Sequence, residues 1–364
     1  VIGGGLAGLV SAILLQKEKL NVVLVEKKQY PFHRVCGEYV SNEVVDFLKR
    51  NNIYPNSGHS ELNEFALTSI AGKKATVPLE LGGFGISRYN FDFFLFKKAQ
   101  EVGVHIVTDA VDSISYIDDQ DEFVIDLRKS GQLHSKIAIG AYGKRSNIDR
   151  NMNRPFFSRL SPYIGVKYHI KYDHPINQVA LHNFEGGYCG INAIEEGKMN
   201  LCYLGERSAL KKHGSIPEME RNVLHRNPYL KKIFMEAEFL WEKPEVINEI
   251  SFETKKPVEG HILMCGDAAG MITPLCGNGM AMAIHSSNIL VEDISNYFHK
   301  HNDRMQLEKS YRSKWNKLFK TRLSIGRTIQ NLFGSVWLSE LSVGMCKIKP
   351  LSRYLVSLTH GKPF

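Results

Sequence analysis

The residues with the clearest chemical potential form a glycine-rich turn at the start of the chain. Gly3, Gly5 and Gly8 fit the spacing GxGxxG, with Ala7 inside the turn and a run with helical spacing after it. The first glycine allows a tight turn, the second lets the backbone approach a pyrophosphate, and the third lets a helix pack closely on a strand. The N-terminus of the following helix would offer free N–H groups and a positive dipole end to phosphate. The pattern predicts a dinucleotide-binding site.

An acidic residue follows at the distance that such a site requires. The segment NVVLVE, residues 21–26, is a buried β run that ends at Glu26. A carboxylate there can accept hydrogen bonds from both ribose hydroxyls of an adenosine, and each charge-assisted bond contributes about 1.5–3 kcal/mol. It would also repel a 2′-phosphate, which disfavours NADP at this site. Lys27, the next residue, is included in the predicted site, and the motif itself fits NAD and FAD equally.

A second glycine-rich segment, HILMCGDAAGMITPLCGNGMAMAIHSS, occupies residues 261–287. Its predicted cofactor-binding members are Gly266, Asp267, Pro274, Gly277, Asn278, Gly279 and Met280. Here the sequence resembles the flavoproteins of the p-hydroxybenzoate hydroxylase and geranylgeranyl reductase superfamily. The resemblance implies FAD, with Asp267 bonded to the ribityl chain and the next helix directed at the pyrimidine edge of the flavin. Reduction puts negative charge at N1 and O2 of a flavin, and a helix N-terminus stabilises that charge.

Other segments match the same family in the expected order. HRVCGEYVS (33–41) resembles the family's arginine or cysteine loop beside the flavin, and GISRYNFDFFLFKKAQEVGVHI (85–106) resembles its arginine-bearing helix. The resemblance assigns FAD contacts to Arg34, Cys36, Gly37, Arg88 and the backbone of Val111. Cys36 keeps two interpretations, a functional thiol beside the flavin or a small packing residue whose backbone contacts FAD.

A third segment resembles the strand that lines the substrate cavity of geranylgeranyl reductases. The family's Tyr-x-Trp-x-Phe-Pro corresponds here to Tyr188, Gly190 and Asn192-Ala193, so only the tyrosine is kept. The resemblance implies an FAD-dependent oxidoreductase that acts on an apolar, aromatic, polyketide-like or isoprenoid-like small molecule.

Three functions stay open at this point. The first is hydride transfer at flavin N5, in the direction of C=C reduction or dehydrogenation. The second is hydroxylation with NAD(P)H and O₂, and the third is a non-catalytic FAD-binding protein. Because the chain has no second GxGxxG turn for a separate nicotinamide domain, the reductant is expected to be NAD(P)H docking transiently or a protein electron donor.

The order of these segments predicts an interleaved architecture. The fold class is α/β, α+β overall, with a Rossmann-like FAD-binding domain, an antiparallel-sheet substrate domain and a C-terminal helical tail. The predicted ranges are 1–60, 84–158 and 255–300 for the FAD-binding domain, 61–83 and 159–254 for the substrate domain, and 301–364 for the helical region. Residues 163–206 alternate apolar and polar side chains, which predicts strands with one face toward water. Only two residues precede the first turn, so we expect further residues upstream in the natural protein.

Cysteine spacing and hydropathy exclude several other classes. The six cysteines include no CxxC pair, which argues against a disulfide scaffold, a zinc site or an iron–sulfur cluster, and no metal is predicted. No apolar run reaches the ~18 residues that span a bilayer. No basic ribbon with interleaved aromatic residues indicates nucleic-acid binding. These features predict a cytoplasmic protein.

The net charge of +8 belongs to the tail, since residues 301–364 carry 12 Lys+Arg and 3 Asp+Glu. An apolar stripe runs through the tail between basic residues. It consists of Leu307, Tyr311, Trp315, Leu318, Ile325, Ile329 and Leu332. Two interpretations follow: a helix packed on the flavin domain with a solvated basic face, or a peripheral contact of residues 304–333 with the inner membrane surface.

Overall fold

The computed structural model describes residues 1–56, 58–159, 161–300, 302–330, 333–348 and 360–364. The helices are α1 (Leu6–Lys17), α2 (Val45–Arg50), α3 (Arg88–Glu101), α4 (Asn147–Asn151), α5 (Arg207–His213), α6 (Ile216–Asn222), α7 (Pro228–Glu236), α8 (Gly279–His299), α9 (Arg304–Gln330) and α10 (Val336–Cys346). The strands are β1 (Val23–Glu26), β2 (Tyr39–Ser41), β3 (Ser60–Thr68), β4 (Lys74–Gly85), β5 (His105–Thr108), β6 (Val111–Ile117), β7 (Glu122–Leu127), β8 (Gly131–Ser135), β9 (Ile139–Gly140), β10 (Tyr163–Lys171), β11 (Gln178–Phe184), β12 (Gly187–Ala193), β13 (Met199–Glu206), β14 (Glu238–Phe239), β15 (Glu245–Ile250), β16 (Val258–Glu259) and β17 (Ile262–Met264).

A parallel layer surrounds the start of the chain. Ile2 forms parallel bridges with Val25 of β1 and Gly140 of β9. β1 pairs in parallel with β5, and β9 pairs in parallel with β17. α1 packs against α3 and α8, and its residues from Leu6 to Leu15 are all buried because its sequence is apolar on nearly every side. This is the Rossmann-like arrangement, and it brings the carboxyl ends of β1 and β17 beside the first glycine turn.

A larger sheet accounts for most of the other strands. In the described part of the chain it has nine strands in the order β14, β10, β13, β12, β11, β3, β4, β2, with β15 also pairing with β10. β2 comes from the predicted 1–60 segment but joins this sheet at its edge, beside β4. The chain therefore passes between the two sheets several times, and their strands interleave along the sequence.

Both faces of the larger sheet are covered by protein, so the expectation of one water-facing side was wrong. Side chains such as Val166 and Leu201 pack against Met219 of α6 and Leu230 of α7. The opposite face, which includes Leu181, packs on the loop after β17 and on α10. The alternation of side chains along these strands was predicted correctly. Many of the positions expected to face water are tyrosine, cysteine or alanine, which bury well beneath a helix.

The tail helix α9 is part of the core around the parallel layer. Tyr311 donates a hydrogen bond to the carbonyl of Met264 at 2.6 Å, and Trp315 packs on Gly270. The buried ridge continues through Phe319 and Leu323. The predicted members Leu318, Ile325 and Ile329 are only half-buried, because the buried ridge takes every fourth residue from Leu307 to Leu323 and then continues at Gly326 and Gln330. Leu332 and residues 349–359 of the predicted helical region lie outside the described residues.

The outer face of the larger sheet holds a buried carboxyl group. Tyr168 of β10 and Tyr203 of β13 both donate hydrogen bonds to Oε1 of Glu220 at 2.9 Å. Burial raises the pKa of Glu220 to about 7, although these hydrogen bonds oppose the rise. A carboxyl with a raised pKa in the folded state stabilises the fold at low pH, and this contribution is lost as the pH rises from about 4.5 through about 7.

Glu220→Gln should therefore stabilise the protein at high pH. The amide oxygen still accepts from both tyrosines, and no buried charge forms. We expect the variant to exceed the original protein at pH 8 by up to about 3 kcal/mol, with the difference vanishing near pH 4.5. Urea unfolding at several pH values measures this, and a difference that does not vary with pH would contradict it.

Candidate functional site

The two glycine-rich segments meet in space. A Cβ on Gly266 would lie 2.9 Å from the Cβ of Ala7, and a Cβ on Gly8 would lie 1.9 Å from the carbonyl oxygen of Gly3. Gly266 also has a φ of +61°, in the left-handed region that side chains rarely adopt. Segments more than 250 residues apart in sequence thus form one surface.

Two helix N-termini open at this surface. α1 is preceded by Gly5 and α8 by Asn278, and neither residue caps its helix with a side-chain hydrogen bond. Neither first turn contains an acidic residue. Apart from Gly5 and its two chain neighbours, a Cβ built on Gly5 would have one atom of the described residues within 4 Å, Nη2 of Arg88 at 3.5 Å. Free backbone N–H groups beside a guanidinium group form a donor set suited to a phosphate.

The predicted ribose acceptor and both predicted arginines belong to one network. Oε2 of Glu26 accepts from the backbone N–H of Gly4 at 2.9 Å and from Arg34 at 3.2 Å. Arg34 and Arg88 donate to the same carboxylate, Asp92, at 3.0 and 2.7 Å. Asp92 was not predicted, although its position four residues after Arg88 on a helix was a usable signal.

Asp267 lies in an electropositive setting. Lys255 donates from Nζ to the carbonyl oxygens of Asp267 at 2.8 Å and Lys144 at 2.6 Å. Burial raises the pKa of Asp267, opposed by the charges of Lys255, Arg88 and Lys144. Burial also lowers the pKa of Lys255 and of Lys144 to about 8 in each case. Across the described ranges, the Asp267 carboxylate accepts no hydrogen bond, so its oxygens can receive a ligand hydroxyl. No motif marked the two lysines.

The remaining predicted residues lie at or near the same surface. Gly277 lies in the turn that Pro274 begins, and a Cβ on it would meet the ring of Tyr39 at 3.2 Å. Gly279 and the buried Met280 form the first turn of α8. Val111 begins β6, three residues after Thr108, which pairs with Glu26. Lys27 is exposed just beyond β1.

The loop with Cys36 faces the larger sheet. Asn200 of β13 donates to the carbonyl oxygens of Cys36 at 3.2 Å and of Gly37 at 2.9 Å. Burial raises the pKa of the Cys36 thiol, although the nearby charge of Arg88 opposes the rise. The thiol is thus protonated at neutral pH and is not a thiolate nucleophile.

The predicted substrate residues share one face of β12. Tyr188 packs near Leu275 of the second glycine segment. At the other end, Nδ2 of Asn192 reaches the carbonyl oxygen of Glu38 at 3.5 Å. Gly190 lies between them and is half-exposed, although both neighbours on this face are buried. The face thus spans from the second glycine segment to the loop at Cys36. Gly190 leaves a gap in its middle that Leu181 narrows, since a Cβ on Gly190 would lie 3.2 Å from Cδ2 of Leu181.

A row of paired residues crosses the sheet at this gap. Strand pairing aligns Lys167, Cys202, Gly190, Leu181 and Leu67 on neighbouring strands. Cys202 and Gly190 are half-exposed, while Leu181 and Leu67 are buried. The centre of the row is thus formed by small residues, with apolar residues on one side and the buried Lys167 on the other.

These features fit FAD. Two open helix N-termini suit the pyrophosphate and the flavin edge, the Glu26 carboxylate suits the adenosine ribose, and the free Asp267 oxygens suit a ribityl hydroxyl. The space at Gly5 allows a phosphate to approach the backbone. The donor and acceptor set therefore offers a partner to the ribose, the pyrophosphate, the ribityl chain and the flavin edge.

Comparisons with known proteins agree with this geometry. The FAD binding domain family matches residues 1–317. Digeranylgeranylglycerophospholipid reductase of Methanosarcina acetivorans is 25% identical, over 92% of this chain and 84% of its own length. The structure of flavin-dependent brominase Bmp2 has a TM-score of 0.76 at 17% identity, covering 99% of this chain and 93% of that chain. PqsL of Pseudomonas aeruginosa, a probable FAD-dependent monooxygenase, has a TM-score of 0.75 at 14% identity, covering 94% and 98%.

The two solved structures share the fold with this chain. The family match spans most of its length, from the first glycine turn into α9. The chain therefore belongs to the FAD binding domain family and is an FAD-dependent oxidoreductase.

Proposed function

We propose that this protein transfers hydride between FAD and a carbon–carbon double bond of an apolar, isoprenoid-like molecule. The observation that carries the proposal is the pair of half-exposed small residues, Gly190 and Cys202, within the otherwise buried apolar face of the larger sheet. Leu67, Leu181 and Leu204 pack in one cluster with Met271 and Leu275 of the second glycine segment. A double bond offers no hydrogen-bonding group, so burial of its chain must supply the binding energy, at about 25 cal/mol per Å².

The relatives support the same class of substrate. The digeranylgeranylglycerophospholipid reductase named above acts, by its name, on a lipid with geranylgeranyl chains. At Gly190 this chain has a half-exposed glycine where the reductase pattern has tryptophan.

When bound, FAD supplies hydride chemistry at N5 of its isoalloxazine ring. The residues of the chain bind and orient the cofactor and the substrate. The N-terminus of α1 and Arg88 hold the pyrophosphate, Glu26 holds the ribose, and Asp267 holds the ribityl chain. The sheet face excludes water and orients the double bond. The reductant is NAD(P)H docking transiently or a protein electron donor.

Anaerobic turnover tests the proposal. FAD-loaded protein is reduced with dithionite and mixed, without O₂, with a geranylgeranyl glycerophospholipid in detergent micelles. We expect the absorbance of oxidised flavin to return and the lipid to gain two hydrogens by mass spectrometry. If oxidised flavin returns only with O₂, and the product gains an oxygen atom, the protein is a hydroxylase and the proposal fails.

We further propose that the protein binds anionic membrane surfaces, where such lipids reside. The apolar ridge of α9 is buried, so α10 must supply the apolar contact. Its exposed large apolar residues are Val336, Trp337 and Leu341, with Ile348 two residues beyond its end. Lys309, Arg312, Lys317 and Lys320 of α9 are exposed and basic. Within the described ranges, no helix has both the length and the apolar character needed to cross a membrane.

Removing the apolar contact should release the protein from vesicles. We expect the original protein to float with phosphatidylglycerol-containing vesicles at low salt, and Trp337→Ser with Leu341→Ser to reduce the bound fraction about tenfold. Ile176→Ser is the matched control, since Ile176 is 61% exposed but lies between β10 and β11. Equal binding to neutral phosphatidylcholine, or equal loss in the control, would count against α10.

A further inference from the structure

A buried charged cluster joins the Cys36 loop to the larger sheet. Glu38 is fully buried, and its carboxylate accepts hydrogen bonds from Nζ of Lys167 and from Nε2 of His169, the latter at 2.7 Å. Oε1 also accepts from the backbone N–H of Arg88 at 2.8 Å. Lys167 is fully buried as well.

The cluster exists as an ion pair. Burial alone would raise the pKa of Glu38, but the charge of Lys167 and the hydrogen bond and charge of His169 outweigh burial and lower the pKa. Removing two charges from water is unfavourable, and replacing a buried pair by apolar residues is often neutral or stabilising. A role in stability is therefore a weak explanation for the pair.

The cluster controls the position of the loop. Residues 31–38 form neither helix nor strand, so side chains from the sheet must fix them. Lys167 donates to the carbonyl oxygen of Arg34 at 3.1 Å, and Asn200 donates to the carbonyl oxygens of Cys36 and Gly37. Glu38 has a φ of +53°, a conformation that non-glycine residues seldom adopt and that persists where surrounding contacts impose it.

The cluster also connects two parts of the site. Through the backbone N–H of Arg88, Glu38 contacts the first residue of α3, whose side chain lies beside the first glycine turn. Through Lys167, it contacts the row of sheet residues that includes Cys202 and Gly190. Glu38 and Lys167 thus link the start of α3 to this row of the sheet.

We propose that Glu38, Lys167 and His169 are positioning residues that fix the Cys36 loop against FAD, and that the charges of Glu38 and Lys167 set how readily the bound FAD is reduced. This inference rests on the placement of FAD proposed above. Reduced flavin carries negative charge at N1 and O2, so a net positive charge on the cluster favours reduction and a net negative charge opposes it.

Opposite single substitutions test the charge argument. Glu38→Gln leaves Lys167 unpaired, and we expect the midpoint potential of bound FAD to rise. Lys167→Met leaves Glu38 unpaired, and we expect the potential to fall. A tenfold change in the ratio of affinities for oxidised and reduced FAD corresponds to about 30 mV for this two-electron couple, and each single variant should shift by about that amount. The double variant should return close to the original potential.

Controls separate position from folding. The double variant has no buried charge, so it should fold even where a single variant does not. If neither single variant folds, the double variant is compared with His169→Asn, which keeps Glu38 and Lys167 paired. The midpoint potentials of these two variants should lie near the original value. The absorbance spectrum of their bound FAD should differ from the original, because the loop moves. Lys171→Met is the matched control. Lys171 lies on the same strand as Lys167 and forms an exposed ion pair with Glu238, so its replacement should change neither the potential nor the absorbance spectrum.

The measurement needs no substrate, so failure of the proposed reaction would leave it intact. Potentials that move in the same direction in both single variants, or that equal the original value together with an unchanged absorbance spectrum, would overturn the proposal. A variant could also bind FAD less tightly and yet show the original potential in the fraction that still binds FAD. That result would show that the cluster is structural only and would overturn the proposal.

Discussion

Replacing Gly5 by aspartate is expected to abolish FAD binding and leave the folded protein intact. Aspartate is a favoured N-cap residue, and a Cβ at Gly5 would lie 3.5 Å from Nη2 of Arg88, an ordinary van der Waals contact. Its carboxylate would accept hydrogen bonds from the open N–H groups of α1 and repel the pyrophosphate at the same place. We expect FAD affinity to fall by about 100-fold or more, roughly 3 kcal/mol, in a fluorescence titration of the FAD-free protein.

Gly5→Asn is the matched control, because it has nearly the same shape and caps the helix without a charge. It should weaken FAD binding by only about tenfold, since it obstructs the phosphate but does not repel it. The thermal midpoint of FAD-free Gly5→Asp should equal or exceed that of the original protein, because the new cap stabilises α1. Gly5→Asp protein that keeps its full affinity would show that the pyrophosphate lies elsewhere.

The sequence was most informative where chemistry depends on a short continuous segment. The turn at Gly3–Gly8 and the segment from Gly266 to Met280 each carry their own spacing, because backbone geometry over a few residues dictates it. The structure brings these segments together, with Glu26, Arg34 and Arg88 beside them. Only the family resemblance, and no spacing, indicated that the two segments would meet.

Buried charges were invisible at the level of sequence. No local motif marks the strands and loops that carry Lys255, Lys167 and His169. Most of their partners lie more than 100 residues away in the sequence, and the exception is the contact of Lys255 with Asp267. The same limit applied to α9, where many apolar side chains could continue the stripe. Which of them became buried depended on the surface of the second glycine segment, as the contact between Trp315 and Gly270 shows.

Arg154→Met is expected to destabilise the protein strongly, because it leaves a buried carboxylate without its counter-charge. The side chain of Arg154 is 1% exposed and donates to Asp149 and Glu259, each at 2.8 Å. It also donates to the carbonyl oxygen of Ala268 at 3.1 Å, beside Asp267. Removing it leaves the fully buried Asp149 uncompensated, which costs about 3–5 kcal/mol. Urea unfolding of the FAD-loaded protein measures this loss.

A matched control and a rescue distinguish this mechanism from simple loss of packing. Arg159→Met removes an exposed ion pair with Glu253 and should change stability by less than about 1 kcal/mol. Adding Asp149→Asn to Arg154→Met removes the stranded charge and should restore part of the loss, because the amide oxygen can still accept at the start of α4. No restoration would mean that packing dominates. Arg154 also donates to the carbonyl oxygen of Ala268, so FAD should dissociate faster from Arg154→Met and from the double variant alike. Adding Asp149→Asn should change the free energy of unfolding but not this rate of dissociation.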